Sequence, residues 1–217
     1  MTGLALAAAI ASTSIGTAPQ ILHYQTVFSY PKGETADGMV RALLTFNPRG
    51  RVIHCDIVLS ANSDKVDGSL CKWLSSAVAV PAKDADGNPA YGAVVLGVTV
   101  LKKDNVTAPV NADLSLAVNH MPAGAPLSLR VQATLAVDNA GVVQGCSTFV
   151  SDSSAIAPLG RATCQMAHGL TLKPAMSEAG KPVPSMQSFV VEFSAADAPV
   201  QRTETIPIPK SQSKFPM

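Results

Sequence analysis

Gly50-Arg51-Val52-Ile53-His54-Cys55-Asp56-Ile57-Val58-Leu59-Ser60 and Gly141-Val142-Val143-Gln144-Gly145-Cys146-Ser147-Thr148-Phe149-Val150 are the two stretches on which the reading of this chain turns. Each opens on a glycine, runs into β-branched residues and reaches a cysteine. The correspondence continues downstream, where Cys71 and Cys164, Pro81-Ala82 and Pro174-Ala175, Gly87 and Gly180, and Pro89 and Pro182 follow in the same order. The glycine and first-cysteine pairs lie 91 residues apart and the later pairs 93. A constant offset that changes once, by two residues, is what a duplicated unit with one loop insertion produces, and such a period governs every later reading.

Each unit reads as strand, strand, helix, strand. Leu127, Leu129, Val131, Ala133, Leu135 and Val137 alternate with Ser128, Arg130, Gln132 and Thr134, the period of a half-buried strand. The counterpart is Met39 to Phe46, with Val40, Ala42, Leu44 and Phe46 on one face and Leu43 interrupting the polar side. Turns follow at Asn47-Pro48-Arg49-Gly50 and Asp138-Asn139-Ala140-Gly141, where Asx residues start the bend and Gly takes positive φ. The second strands cover roughly 52–60 and 142–150. Helical patterns then span about 66–78 and 158–169, with Leu70, Leu74 and Ala77 on one stripe and Pro158 suited to a first turn. Last strands are expected at about 93–101 and 186–193. The expected fold is α+β, with two tandem small domains, each a three-stranded antiparallel sheet with a helix packed on one face.

Residues 1–22 read as a secretory leader. A short apolar run is followed by small residues that offer Ala9-Ile10-Ala11 or Gly16-Thr17-Ala18 as cleavage sites, although no Lys or Arg precedes it. Domain one is assigned to 23–104, a linker to 105–126, domain two to 127–195, and a Pro-rich, flexible or extended tail to 196–217. The run is too short to span a bilayer, which takes about 20 apolar residues. Hydrophobic residues make up 47% of the chain and charged ones 14%, so it has the composition of a folded protein. Sixteen basic residues against fifteen acidic, scattered without a stripe, supply no basic face for nucleic acid.

Four cysteines permit three pairings, and the repeat makes one natural: Cys55 with Cys71 and Cys146 with Cys164, each joining the second strand to the helix on it. Such bonds form in oxidising compartments, which agrees with the leader and with a periplasmic or secreted location. Zinc is the alternative, since His54 adjoins Cys55 and Cys164-x3-His168 spaces two ligands one helical turn apart. Neither histidine recurs in the other unit, Gly145 and Ser75 standing in their places, so no metal site and no cofactor is assigned. The chain has no Gly-x-Ser-x-Gly elbow, phosphate-cradling loop or His-Glu-x-x-His, and the reading is non-catalytic.

Taken in order, Val52 to Ser60, Val66-Asp67-Gly68-Ser69-Leu70-Cys71 and Val80-Pro81-Ala82-Lys83-Asp84-Ala85-Asp86-Gly87-Asn88-Pro89 resemble the C-terminal domain of TonB proteins. Gly141 to Phe149, Leu159 to Cys164 and Lys173-Pro174-Ala175 through Lys181-Pro182 are similar in the second unit, and a subgroup of exported versions shares the Cys pair. The resemblance implies a protein-binding module that takes an extended peptide, from an outer-membrane receptor or another envelope protein, onto the edge of its sheet by β-augmentation. By element order that edge is the last strand of each unit, namely Val94, Val95, Leu96, Val98 and Val100, and Phe189, Val190, Val191 and Phe193. TonB energy transducers also have an N-terminal transmembrane helix and a long Pro-rich linker, neither of which is seen here. A second expectation follows from the duplication: if the two edges pair with each other, the protein is structural or binds through a different face.

Overall fold

The computed structural model describes residues 15–23, 28–36, 38–101, 105–110, 112–151 and 154–196. Most of the expected leader, residues 1–14, and all of the tail after Ala196 lie outside the described residues. In chain order the elements are β1 (Gln20–His23), β2 (Gly38–Phe46), β3 (Val52–Leu59), α1 (Asp64–Leu74), β4 (Val78–Val80), β5 (Ala82–Lys83), β6 (Pro89–Ala90), β7 (Gly92–Leu101), β8 (Asn105–Val110), β9 (Leu114–Val118), β10 (Ser128–Val137), β11 (Val143–Thr148), α2 (Ala157–His168), β12 (Ala175–Met176), β13 (Pro182–Val183) and β14 (Ser185–Ala195). The strands and helices read from periodicity are all present. The stretch read as a linker contributes β8 and β9, and part of the stretch read as leader contributes β1.

The expectation of two tandem three-stranded domains is corrected by the sheet order. One eight-stranded mixed sheet runs β11-β10-β14-β7-β2-β3, with β8 added to β7 and β9 added to β14. Small two-stranded sheets pair β1 with β4, β5 with β6, and β12 with β13. The halves join where the two last strands pair in parallel, Met186 opposite Gly92 and Gln187 opposite Ala93.

That register explains why the halves do not separate. Val94, Leu96, Val98 and Val100 of β7 form one core with Val40, Ala42, Leu44 and Phe46 of β2 and with Val66, Leu70 and Leu74 of α1. Residues opposite each other in paired strands share a face, so Met186 lies on the α1 side. Phe189, Val191 and Phe193, of opposite parity, point to the other side, where they pack with β10 and α2. The two helices therefore cover opposite faces, and each half leaves its second face bare of its own elements. The other half supplies the cover. Ala175 of β12 and Val183 of β13 pack on Leu43, Ala93 and Val95, so the Leu43 that interrupts the polar alternation is only 2% exposed. Polar clasps fix this hairpin to the first half: Asn47 Nδ2 donates to Glu178 Oε1 at 3.1 Å, His54 Nε2 donates to the Ser177 carbonyl at 2.7 Å, and Lys173 pairs with Asp56 at 3.2 Å. Reciprocally, Ala18 N donates to Thr134 Oγ1 at 3.4 Å, and Ile15 lies against Gly145. Residues 15–23 thus form a strap that bridges Thr17 to Lys83, pairs β1 with β4, and lies on β10 of the other half.

Helix α1 starts at Ser63, whose Oγ accepts from Val66 N at 3.3 Å, with Asp64 and Asp67 in the first turn and Lys72 in the last, as the helix dipole favours. Helix α2 has Pro158 in its first turn and no side-chain cap. Disulfides Cys55–Cys71 and Cys146–Cys164 join each helix to the outer strand beneath it, with Cα separations of 5.6 and 5.5 Å.

Gly50 and Gly141 close the two long-strand turns at φ +74° and +86°. A Cβ there would land on the carbonyl oxygen of Ala79 and of Leu172, because each glycine carbonyl accepts from that same residue's N–H. Gly141→Ala is expected to cost more than the ~1–2 kcal/mol of the left-handed conformation alone. Gly180→Ala, at φ +71° with open space around the position, is expected to cost only that penalty. Urea unfolding of the two variants checks the difference.

Candidate functional site: the edges of the sheet

A strand accepts a peptide only through an unpaired row of N–H and C=O groups. The expected acceptor residues sit on strands that are paired on both sides. β7 pairs with β2 from Gly92 to Val100, and its other edge is taken by β14 at Gly92–Ala93 and by β8 from Gly97 to Leu101. β14 pairs with β10 from Ser185 to Ser194, and its other edge by β7 at Met186–Gln187 and by β9 from Val191 to Ala195. Leu96, Val98 and Val100, like Phe189, Val191 and Phe193, have their side chains in the two cores. Val94 is also in the first core, Val95 is half-buried against the exchanged hairpin, and Val190 lies at the fork between the strands.

The fork itself is closed by a residue the sequence reading did not select. Past Gln187 the two last strands diverge, and Asp113 sits between them. Its N–H donates to the Val190 carbonyl at 2.7 Å, and its Oδ2 accepts from Val190 N at 2.8 Å, so one residue satisfies both outward groups of Val190. Oδ1 accepts from Arg41 Nη2 at 2.8 Å. Arg41 stands on β2 opposite Gly97 of β7, a position without a side chain. Burial pushes the Asp113 carboxyl up from 3.8 to about 6 against the lowering pull of Val190 N–H and Arg41. Its sequence signals were faint: the single charge in the β2 alternation, and an Asp just before the apolar alternation of β9.

The edges left over are the outer ones. Among the described residues β3 pairs only with β2 and β11 only with β10. β3 is the longer, eight residues with register irregularities at both ends, and Val58 and Leu59 are 48% and 46% exposed. On its inner face Cys55 is tied to α1, while His54 and Asp56 hold the exchanged hairpin.

No family model, characterised protein or solved structure matches the chain. The chemistry of the remaining groups must therefore be read from their geometry. Both cysteines of the considered Cys–His pairs are in disulfides, so neither offers a thiolate to a metal. Among the described residues no three His, Cys, Asp or Glu side chains converge. An open cleft of about 230 Å³ lies between the β5–β6 hairpin and β10, lined by Asp84, Ala90, Ala136, Asp138, Gln144 and Met186. Its two carboxylates are engaged by their own turns. Asp84 accepts from Asp86 N and Asn88 N, and Asp138 accepts from Ala140 N, Val142 N and Gln144, with the Val142 N–H holding its carboxyl below the usual range. Trp73 packs edge-on against Phe28, ring centroids 5.9 Å apart. Among the described residues no helix is long and apolar enough to cross a membrane.

Proposed function

We propose that this chain is an exported, envelope-associated structural protein of TonB-like ancestry, without an energy-transducing or catalytic role. The parallel pairing of β7 with β14 carries this reading, because it turns the two edges that a TonB-like domain would offer to a peptide against each other, and β8, β9 and Asp113 take up Gly97–Leu101, Val191–Ala195 and Val190 of them. Two disulfides support an oxidising compartment, and the periplasm follows from the resemblance. The test is a titration of the chain with extended peptides of the outer-membrane-receptor type, followed by amide NMR. No perturbation is expected along Val94–Leu96 or at Val190. Saturable shifts there would overturn the reading.

A second reading keeps protein binding but moves it to β3, whose unpaired edge ends in the exposed Val58 and Leu59. A photo-crosslinking residue at Val58 is expected to trap an envelope protein, and one at Val98 to trap none. Equal silence at both positions would remove this second reading.

Export also makes a prediction about processing. A cut after Ala18 would remove Ile15, Thr17 and Ala18, which hold the strap to β5, β10 and Gly145. Intact mass of the exported protein is expected to place the mature N-terminus before Ile15, at the Ala9-Ile10-Ala11 site.

A further inference from the structure

The two halves use the same element order but treat one edge differently. In the first half, Ala79 N donates to the Gly50 carbonyl at 3.0 Å, Arg51 bridges Val78, and the other edge of β4 is taken by β1 with Gln20 opposite Val80 and Ile21 opposite Ala79. In the second half, Leu172 N donates to the Gly141 carbonyl at 2.9 Å and Val142 bridges Thr171, so Leu170–Lys173 occupies the place of β4. No described strand pairs with its other edge. The reason lies in the topology: β9, which precedes β10 as β1 precedes β2, pairs with β14 instead. Because Leu172 N bonds toward Gly141, the N–H and C=O of Thr171 point away from that turn. Leu170 beside them is 39% exposed and Leu172 is half-buried.

We propose that this edge is the docking place of the chain's own C-terminal tail, with Thr203-Glu204-Thr205-Ile206-Pro207-Ile208-Pro209-Lys210 laid along Leu170–Lys173 as β1 is laid along β4. Two features single out that segment. The first is reach. Lys173 lies at the start of β14, where its carbonyl accepts from Gln187 Nε2 at 3.2 Å. The tail leaves from the far end, eight residues beyond Gln187 and so about 26 Å away at roughly 3.3 Å per residue. Ile206 comes eleven residues after Ala195, enough extended chain to run back that distance. The second is the proline pattern. Pro207 and Pro209 alternate with Ile206, Ile208 and Lys210. In an extended strand alternate N–H groups share a side, so the three donors face one neighbour while the prolines leave the opposite edge without donors. Such a strand can cap an edge but not extend the sheet. Its two isoleucines share a face, suited to Leu170 and Leu172.

Amide hydrogen exchange at Thr171 tests the proposal in three chains: full length, ending at Ala196, and the full-length double variant Ile206→Pro/Ile208→Pro. None of the changes touches the described fold. Exchange is expected to be at least roughly tenfold slower in the full chain than in the other two, since a paired edge amide exchanges only when its strand opens. Synthetic peptide 203–210 is expected to restore protection to the truncated chain. Equal exchange in the full and truncated chains overturns the proposal, as does protection that survives the proline variant. Protection that grows with protein concentration together with dimer mass also overturns it, in favour of a second copy's tail.

Discussion

Replacing Cys146 and Cys164 with serine is expected to lower the urea midpoint reported by Trp73, in the other half of the chain, by about 1.5 M. A disulfide closing a loop of this size contributes about 3 kcal/mol in the chain-entropy model, and a protein of this size loses roughly 2 kcal/mol of stability per molar urea. The loops here close over 16 and 18 residues. Trp73 is the sole tryptophan and sits on α1, so its fluorescence follows the first half alone. Were the halves separate domains, loss of a bond in the second would leave that signal where it was. In the shared sheet the second half carries the cover of Leu43 and Ala93 and the partner of β7, so the first half cannot outlast it. Two transitions, with the tryptophan signal unmoved, would sink the single-sheet description. Loss of both disulfides together is expected to remove about 6 kcal/mol, a large part of the ~5–15 kcal/mol that proteins usually have.

The second large effect is a pH dependence centred on Asp113. Its carboxyl titrates near 6 in the folded protein and near 3.8 when unfolded. The folded state therefore binds the proton more tightly, and ionisation costs stability as pH rises through this window. Below about 3.8 both states are protonated and the full benefit is present; above about 6 it is gone. Each pKa unit is worth about 1.4 kcal/mol, so the wild-type protein is expected to be about 2 kcal/mol more stable at pH 4.5 than at pH 7 through this group. Glu34 and Asp138 act in the opposite sense, since their carboxyls are held below the usual range by Ser63 and by Val142 N–H, and they cost stability only at lower pH. Asp113→Asn keeps an acceptor for Val190 N but cannot ionise. It is expected to flatten the profile between pH 4.5 and 7 in urea unfolding. An unchanged slope in the variant would assign the dependence to another group.

Local structure was legible in the sequence because its determinants are local. Period-two alternation placed β2, β3 and β10, Val and Phe content after a Gly/Pro break placed β14, the stripe of Leu70 and Leu74 placed α1, and the repeat paired the four cysteines as they are bonded. How the halves associate was not legible in the same way, because it depends on parity between strands 93 residues apart in the repeat. One residue did carry the information. Leu43, apolar on the side that alternation assigns to water, marks a face that needs cover, and its cover is Ala175 and Val183 from the far half. The expected peptide edge was named from element order, which identifies the last strands correctly but does not say what lies beside them. Asp113 escaped notice because a buried carboxylate at a strand fork looks, in one dimension, like any aspartate in a polar connection.

The crossing of the β12–β13 hairpin onto the first half also sets the order in which the protein can mature. When only the first 101 residues have emerged from the ribosome, Leu43 and Ala93 lack their cover and β7 lacks its neighbour on one side, and what completes them arrives with Ala175, Val183 and Met186. The first half must wait, incomplete, for about 85 further residues to be made, several seconds at usual elongation rates of ~5–20 residues per second. A chain that cannot finish folding until nearly all of it exists stays threadable for that interval, which is the state a translocation channel requires.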